Sequence, residues 1–151
     1  MTWYELWLFL HVVAAAVWVG GATMIQAFAL RVLGDAARTA VFAKDVELIG
    51  MRLLTPASLL LFATGIALVV DGNWDWSEPF VLAGLIVGIG SFAAGAGFLG
   101  PESGRISKIL LAEGPASVDA QRRIRRILLY SRTELALLVF VVFMMTVKLG
   151  T

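Results

Sequence analysis

Leu6–Leu30, LWLFLHVVAAAVWVGGATMIQAFAL, runs for 25 residues without one Asp, Glu, Lys or Arg. As a helix it is about 37 Å long, enough to cross a hydrocarbon core of roughly 30 Å. Leu53–Val70, Phe80–Gly100 and Ile127–Val147 supply three further apolar stretches of spanning length. The chain as a whole is 60% hydrophobic and 15% charged over 151 residues. A soluble domain of that size leaves roughly a third of its chain area in water, which this composition cannot tolerate. The expected fold is therefore all-α. One integral membrane domain, residues 1–151, holds a four-transmembrane-helix bundle with spans at about 4–30, 53–70, 80–100 and 127–147.

Charge fixes the orientation. Eleven of the twelve Lys and Arg residues lie in two segments, Arg31–Arg52 and Arg105–Arg132. Positive residues beside a span resist translocation, so both basic segments are expected in the cytoplasm and both termini outside. The net charge of +1 conceals this segregation and gives no reason to expect a nucleic acid. Anionic lipid headgroups account for the basic rim, including the run Gln121–Arg126. The chain has no cysteine, which excludes thiol chemistry, disulfides and Cys-held iron–sulfur or haem groups. The first apolar run lacks a basic leader and opens on Trp3, Tyr4 and Trp7, an interfacial belt, so it is expected to stay as the first span.

Smaller signals place the joints. Asp35–Met51 carries Val41, Phe42, Val46 and Ile49 at helical spacing, as in an amphipathic cytoplasmic helix. Pro56 suits the first turn of the second span and Pro79 the first residue of the third. Asp71–Pro79 reads as a short outer turn. Gly100-Pro101 is expected to end the third helix, and Gly114-Pro115 to break the second basic segment. Lys148 can snorkel to the outer surface. The two halves share one plan of helix in, basic segment, helix out, which would make them parallel repeats.

Polar side chains inside a bilayer are costly and each needs a reason. His11, the only histidine, shares a helical face with Ala15, Trp18 and Ala22, with Gln26 close by. One reading makes it a ligand for haem b or, second, copper, with Trp18 beside the cofactor. The other makes it a hydrogen-bonded packing residue. Met144 and Met145 lie at similar depth on the fourth span and could supply thioether ligands to haem or a metal. Glu134 lies in the inner third of that span. Arg31 and Arg52 are its expected ion-pair partners, and a proton-relay role is the alternative. Gly84, Gly88, Ser91 and Gly95 form one smooth face on the third span, suited to close packing within the bundle or against another subunit or a second copy. No paired catalytic acids, nucleophile triad, phosphate loop or metal cluster motif is present, which argues against a self-contained hydrolase or transferase.

His11-Val-Val-Ala-Ala-Ala-Val-Trp18-Val-Gly20-Gly21 resembles the first helix of copper-resistance D-type membrane proteins. It is also similar to that of the HemJ-type membrane protoporphyrinogen oxidases, whose first-helix histidine is associated with haem. A fuller resemblance is to the bacterial integral membrane family named domain of unknown function 2269. It is carried by His11–Gly21, Leu99-Gly100-Pro101, Ala112-Glu113-Gly114-Pro115 and Arg132-Thr133-Glu134-Leu135. That likeness implies a four-helix membrane protein with an acidic residue at position 134, in a bacterial plasma membrane. The leading expectation is a non-enzymatic protein that binds haem or a metal through His11. An accessory subunit of a respiratory or photosynthetic complex, packing through the third helix, is the rival. A small proton-coupled transporter using Glu134 is the third.

Overall fold

The computed structural model describes residues 2–147, and Lys148 lies outside them. Among these residues there are helices and no strands, and four rods are long and apolar enough to cross a membrane. Helix α1, Trp3–Val32, begins with a reciprocal cap. The Thr2 hydroxyl accepts the Glu5 N–H at 3.2 Å, while the Glu5 carboxylate accepts the Thr2 N–H at 2.8 Å. Asp35 caps α2, Ala36–Ile49, through the Arg38 N–H.

The second and third rods bend past their expected ends. Helix α2 runs through a π-helical turn, Gly50–Leu54, into α3, Thr55–Asp71. After the outer turn, α4, Pro79–Ala94, runs through a second π turn, Gly95–Leu99, into α5, Gly100–Glu113. These continuous rods of 36 and 35 residues are each roughly 50 Å long, so about 20 Å of each stands clear of the hydrocarbon. Gly100-Pro101 therefore does not end the third helix as expected. The Gly100 N–H reaches the Gly95 carbonyl, five residues back. That wider turn makes room for the Pro101 ring and leaves a gap in the ladder where its missing N–H costs little. Pro56 comes after the first π turn in the same way, where the Thr55 N–H bonds the Gly50 carbonyl. Both sites share one spacing, Gly50-x5-Pro56 and Gly95-x5-Pro101.

The expected break at Gly114-Pro115 is present. Gly114 adopts φ 78°, a conformation that favours glycine, and α6, Val118–Val147, comes next. Inside the membrane α1 packs along α3, and α4 along α6. On the side that the basic segments mark as cytoplasmic, α2 packs along α5.

The best-buried apolar cluster lies in this cytoplasmic layer: Ala40 and Ala43 of α2, Ile106 and Leu110 of α5, Ala120 and Ile124 of α6. On α2 the buried face is Thr39, Ala40 and Ala43, not the expected Val41, Phe42, Val46 and Ile49. Val41 and Ile49 are exposed, while Phe42 and Val46 line a cavity. Small side chains win the interface because α5 presents Ser103, Gly104 and Ser107 to it and the two backbones come close. A Cβ on Gly104 would stand 2.5 Å from a Glu47 carboxylate oxygen. Glu102 is buried on α5. Its carboxylate accepts an Arg123 N–H at 2.7 Å and lies 3.5 Å from Arg105.

Candidate functional site

Among the described residues, packing leaves a cavity toward each side of the bundle, with Trp18 in the wall of both. Trp18 is itself buried and divides them.

The outer cavity, of about 210 Å³, is lined by His11, Tyr4, Phe62, Trp74 and Met145 among others. His11 sits against α3. Its Nδ1 lies 3.1 Å from the Leu61 carbonyl and 3.1 Å from the Thr64 hydroxyl oxygen. The Leu61 carbonyl can only accept, which assigns Nδ1 as the donor, and the Thr64 hydroxyl donates to the Leu60 carbonyl at 2.7 Å. In a neutral ring the lone pair is then on Nε2, the tautomer that a metal-binding histidine adopts. Gly65 makes room for the ring, since a Cβ there would lie 3.2 Å from Cε1. His11, Trp18 and Met145 thus meet at one cavity, whereas Met144 is not part of its lining.

The fit of a cofactor is limited. About 210 Å³ falls below the roughly 300–1,000 Å³ of cavities that enclose drug-sized ligands. The described lining also holds no Lys or Arg to meet haem propionates. Haem does not fit this cavity. A single soft ion would find two donors, His11 Nε2 and the Met145 thioether. Among the described residues no group of three His, Cys, Asp or Glu side chains converges.

The inner cavity is larger, about 270 Å³, and opens between the membrane rods and the cytoplasmic layer. Its wall is mostly apolar, with Phe42 and Phe92 beside Trp18. Polar groups enter it from every rod: Gln26 of α1, Thr55 and Ser58 of α3, Ser91 of α4, Ser131 and Glu134 of α6. The Gln26 amide donates to the Ser131 hydroxyl, tying α1 to α6. Glu134 lies one turn from Ser131 on the same face. Its carboxylate has neither hydrogen bond nor ion pair among the described residues. Arg31 and Arg52, the expected partners, are exposed and form no ion pair with it. They stand on the rim, at the end of α1 and in a π turn, while Glu134 faces inward.

The small-residue face of α4 is largely used within the chain. A Cβ on Gly84 would run into the Met145 methyl, and one on Gly88 would lie 3.0 Å from the Phe62 ring. Ser91 and Gly95 line the inner cavity. As a surface for another subunit, this face is already occupied over its outer half.

Thr64, Gly65, Ser131 and Glu102 were not singled out from sequence. A small Thr-Gly pair opposite a lone membrane histidine is a usable signal for the first two. Ser131 stands three residues before Glu134, a spacing that marks one helical face. Glu102 is given away only by its partner on another helix.

No curated protein and no solved structure matches the chain. The model of one family does, over residues 5–149, nearly the whole sequence, and its description is a predicted integral membrane protein. With four apolar rods and this match, the chain belongs to the DUF2269 family of integral membrane proteins.

Proposed function

We propose that the protein is a small-molecule-binding membrane protein, a carrier or receptor of a bacterial plasma membrane, whose ligand occupies the inner cavity with Glu134 as its polar anchor. The observation that carries this reading is the gathering of polar groups. Two carboxylates, an amide and several hydroxyls, drawn from all four rods, line one mostly apolar cavity. A polar group in a membrane helix is expensive, and one purely structural contact does not require all four rods to contribute polar groups to one cavity. A mostly apolar cavity with a few convergent polar groups is the usual form of a ligand site, and at about 270 Å³, below the range for drug-sized ligands, this one suits a smaller molecule.

The test fills the cavity. A Cβ at Gly95 meets nothing within 4 Å, so Gly95→Met can extend into the space without a clash at its base. The protein in phosphatidylcholine nanodiscs is titrated with benzyltrimethylammonium and with neopentylbenzene, its uncharged carbon isostere. Saturable binding of either probe by the wild type, lost in Gly95→Met, supports the reading. Binding of neither probe, or binding that Gly95→Met leaves unchanged, overturns it.

A second reading rests on the tautomer of His11: with Nδ1–H donated to α3, Nε2 and the Met145 thioether offer a two-donor site for a soft metal ion in the outer cavity. Cu(I) titration of wild type and His11→Ala checks it, and equal affinity for both would discard it.

A further inference from the structure

The inner cavity is lined by ionisable groups of one sign only. Of its 31 lining residues, Glu47 and Glu134 are acidic, and none is Lys, Arg or His. The cytoplasmic rim around it, by contrast, holds eleven of the chain's twelve basic residues. None of these bases lines the cavity, and Arg31, Arg52 and Arg132, each next in sequence to a lining residue, are exposed.

The two acids are not equivalent. Glu47 sits at the cytoplasmic side, 3.5 Å from Lys44 and against Gly104, so its charge is met within the chain. Glu134 lies deeper and has no partner among the described residues. Trp18, Phe42 and Phe92 line the same cavity. An aromatic face carries negative quadrupole density and attracts a cation within about 6 Å. A carboxylate in a site shielded from water attracts it more strongly than in solvent. An anion or a second carboxylate would be repelled by the same wall.

From this juxtaposition we infer that the ligand of the inner cavity is a small organic cation, an ammonium group on an apolar body. The cationic head lies against Glu134 and the body among Trp18, Phe42 and Phe92. The inference rests on the inner cavity being a ligand site. The serine and glutamine groups position rather than select, since they serve neutral and charged ligands alike. Selection comes from Glu134.

The same probe pair separates the two claims. Benzyltrimethylammonium and neopentylbenzene have nearly the same shape and differ in one charge. Wild-type protein should bind the cation more tightly by about tenfold or more, the size of a single desolvated charge or cation–π contact. Glu134→Gln keeps the side chain's shape and should reduce that preference to near unity while binding of the neutral probe persists. Glu47→Gln should leave the preference largely intact. If both probes bind the wild type equally, or Glu134→Gln keeps the preference, the organic-cation assignment is overturned while the ligand site stands. If neither binds, the site itself fails and the assignment with it. Circular dichroism of Glu134→Gln is recorded beside the titrations, and helical signal equal to wild type separates a loss of preference from a loss of fold.

Discussion

Replacing Trp18 by Ala removes the partition between the two cavities, and its cost can be worked from where the ring lies. Trp18 is 5% exposed and lines both spaces. In a water-soluble protein such a truncation costs about 3–5 kcal/mol, part transfer and part void. In a bilayer the transfer part nearly vanishes, because lipid chains are as apolar as the interior. The void remains. On the order of 100 Å³ of lost ring, at about 24 cal/mol per Å³, gives roughly 2.5 kcal/mol. For a chain of this length that corresponds to a fall in Tm of about 5–10 °C. Trp18→Phe keeps a ring in the gap and should lose about half as much or less. The assay is loss of helical circular dichroism in dodecylmaltoside at one fixed scan rate, because membrane proteins commonly unfold irreversibly. A Trp18→Ala protein within about 2 °C of wild type would mean that the cavities are not separated by this side chain. An equal loss in Trp18→Phe would mean that the indole N–H, not the ring's volume, is what matters.

Three further predictions concern the joints around the cavities. A double-mutant cycle of His11→Ala and Thr64→Val should give a coupling of about 0.6 kcal/mol and no more than about 1.7, the range for hydrogen bonds between membrane helices; zero coupling removes the Nδ1 donor assignment. Arg123→Ala leaves the buried Glu102 carboxylate with only Arg105 at 3.5 Å, so amide exchange should speed up across α5 and α2 while α1 and α3 stay slow. Glu102→Gln in the same background should restore much of that protection, and unchanged exchange in Arg123→Ala would contradict the role given to the pair. In the outer turn, Asp75 accepts the Ser77 N–H at 2.8 Å and its hydroxyl at 2.7 Å. The backbone bond first, then the hydroxyl, hold its pKa below the ordinary 3.8. The ordering of this turn is then complete above the unfolded value and is lost as pH falls through the lower folded one. Carbonyl-carbon NMR titration should show this, with Ser77→Ala raising the Asp75 value only part of the way.

The membrane architecture was legible because it depends on composition summed over long windows. Twenty-five uncharged residues before Arg31, and basic residues confined to two segments, admit few alternatives. His11, Trp18 and Met145 line one cavity, and their nearness was open to sequence because depth along a helix is set by residue count. What escaped the sequence depends on contacts between distant segments. The cytoplasmic layer is one case: Ala40 and Ala43 are unremarkable until α5 offers Ser103 and Gly104 opposite them. The isolation of Glu134 among the described residues is another. Arg31 and Arg52 have the right charge and the right end of the bundle, but rotation about their helix axes turns them outward. Gly100-Pro101 misled for a different reason, because a proline rule stated for α-helices does not hold immediately after a π turn.

Those two turns also bear on how the sequence aligns with others. Each contains one residue more than an α-helical turn would use, so the helix beyond it is rotated by about 100° and advanced by about 1.5 Å. The cytoplasmic and membrane parts of each rod are therefore out of phase, and one helical wheel drawn through both mixes inward and outward positions. Threading a relative that lacks the Gly-x5-Pro spacing onto this fold requires a one-residue gap at each turn. Without it, Phe42 and Val46 would trade places with exposed neighbours, and the cavity would vanish from the alignment while the hydropathy profile stayed the same.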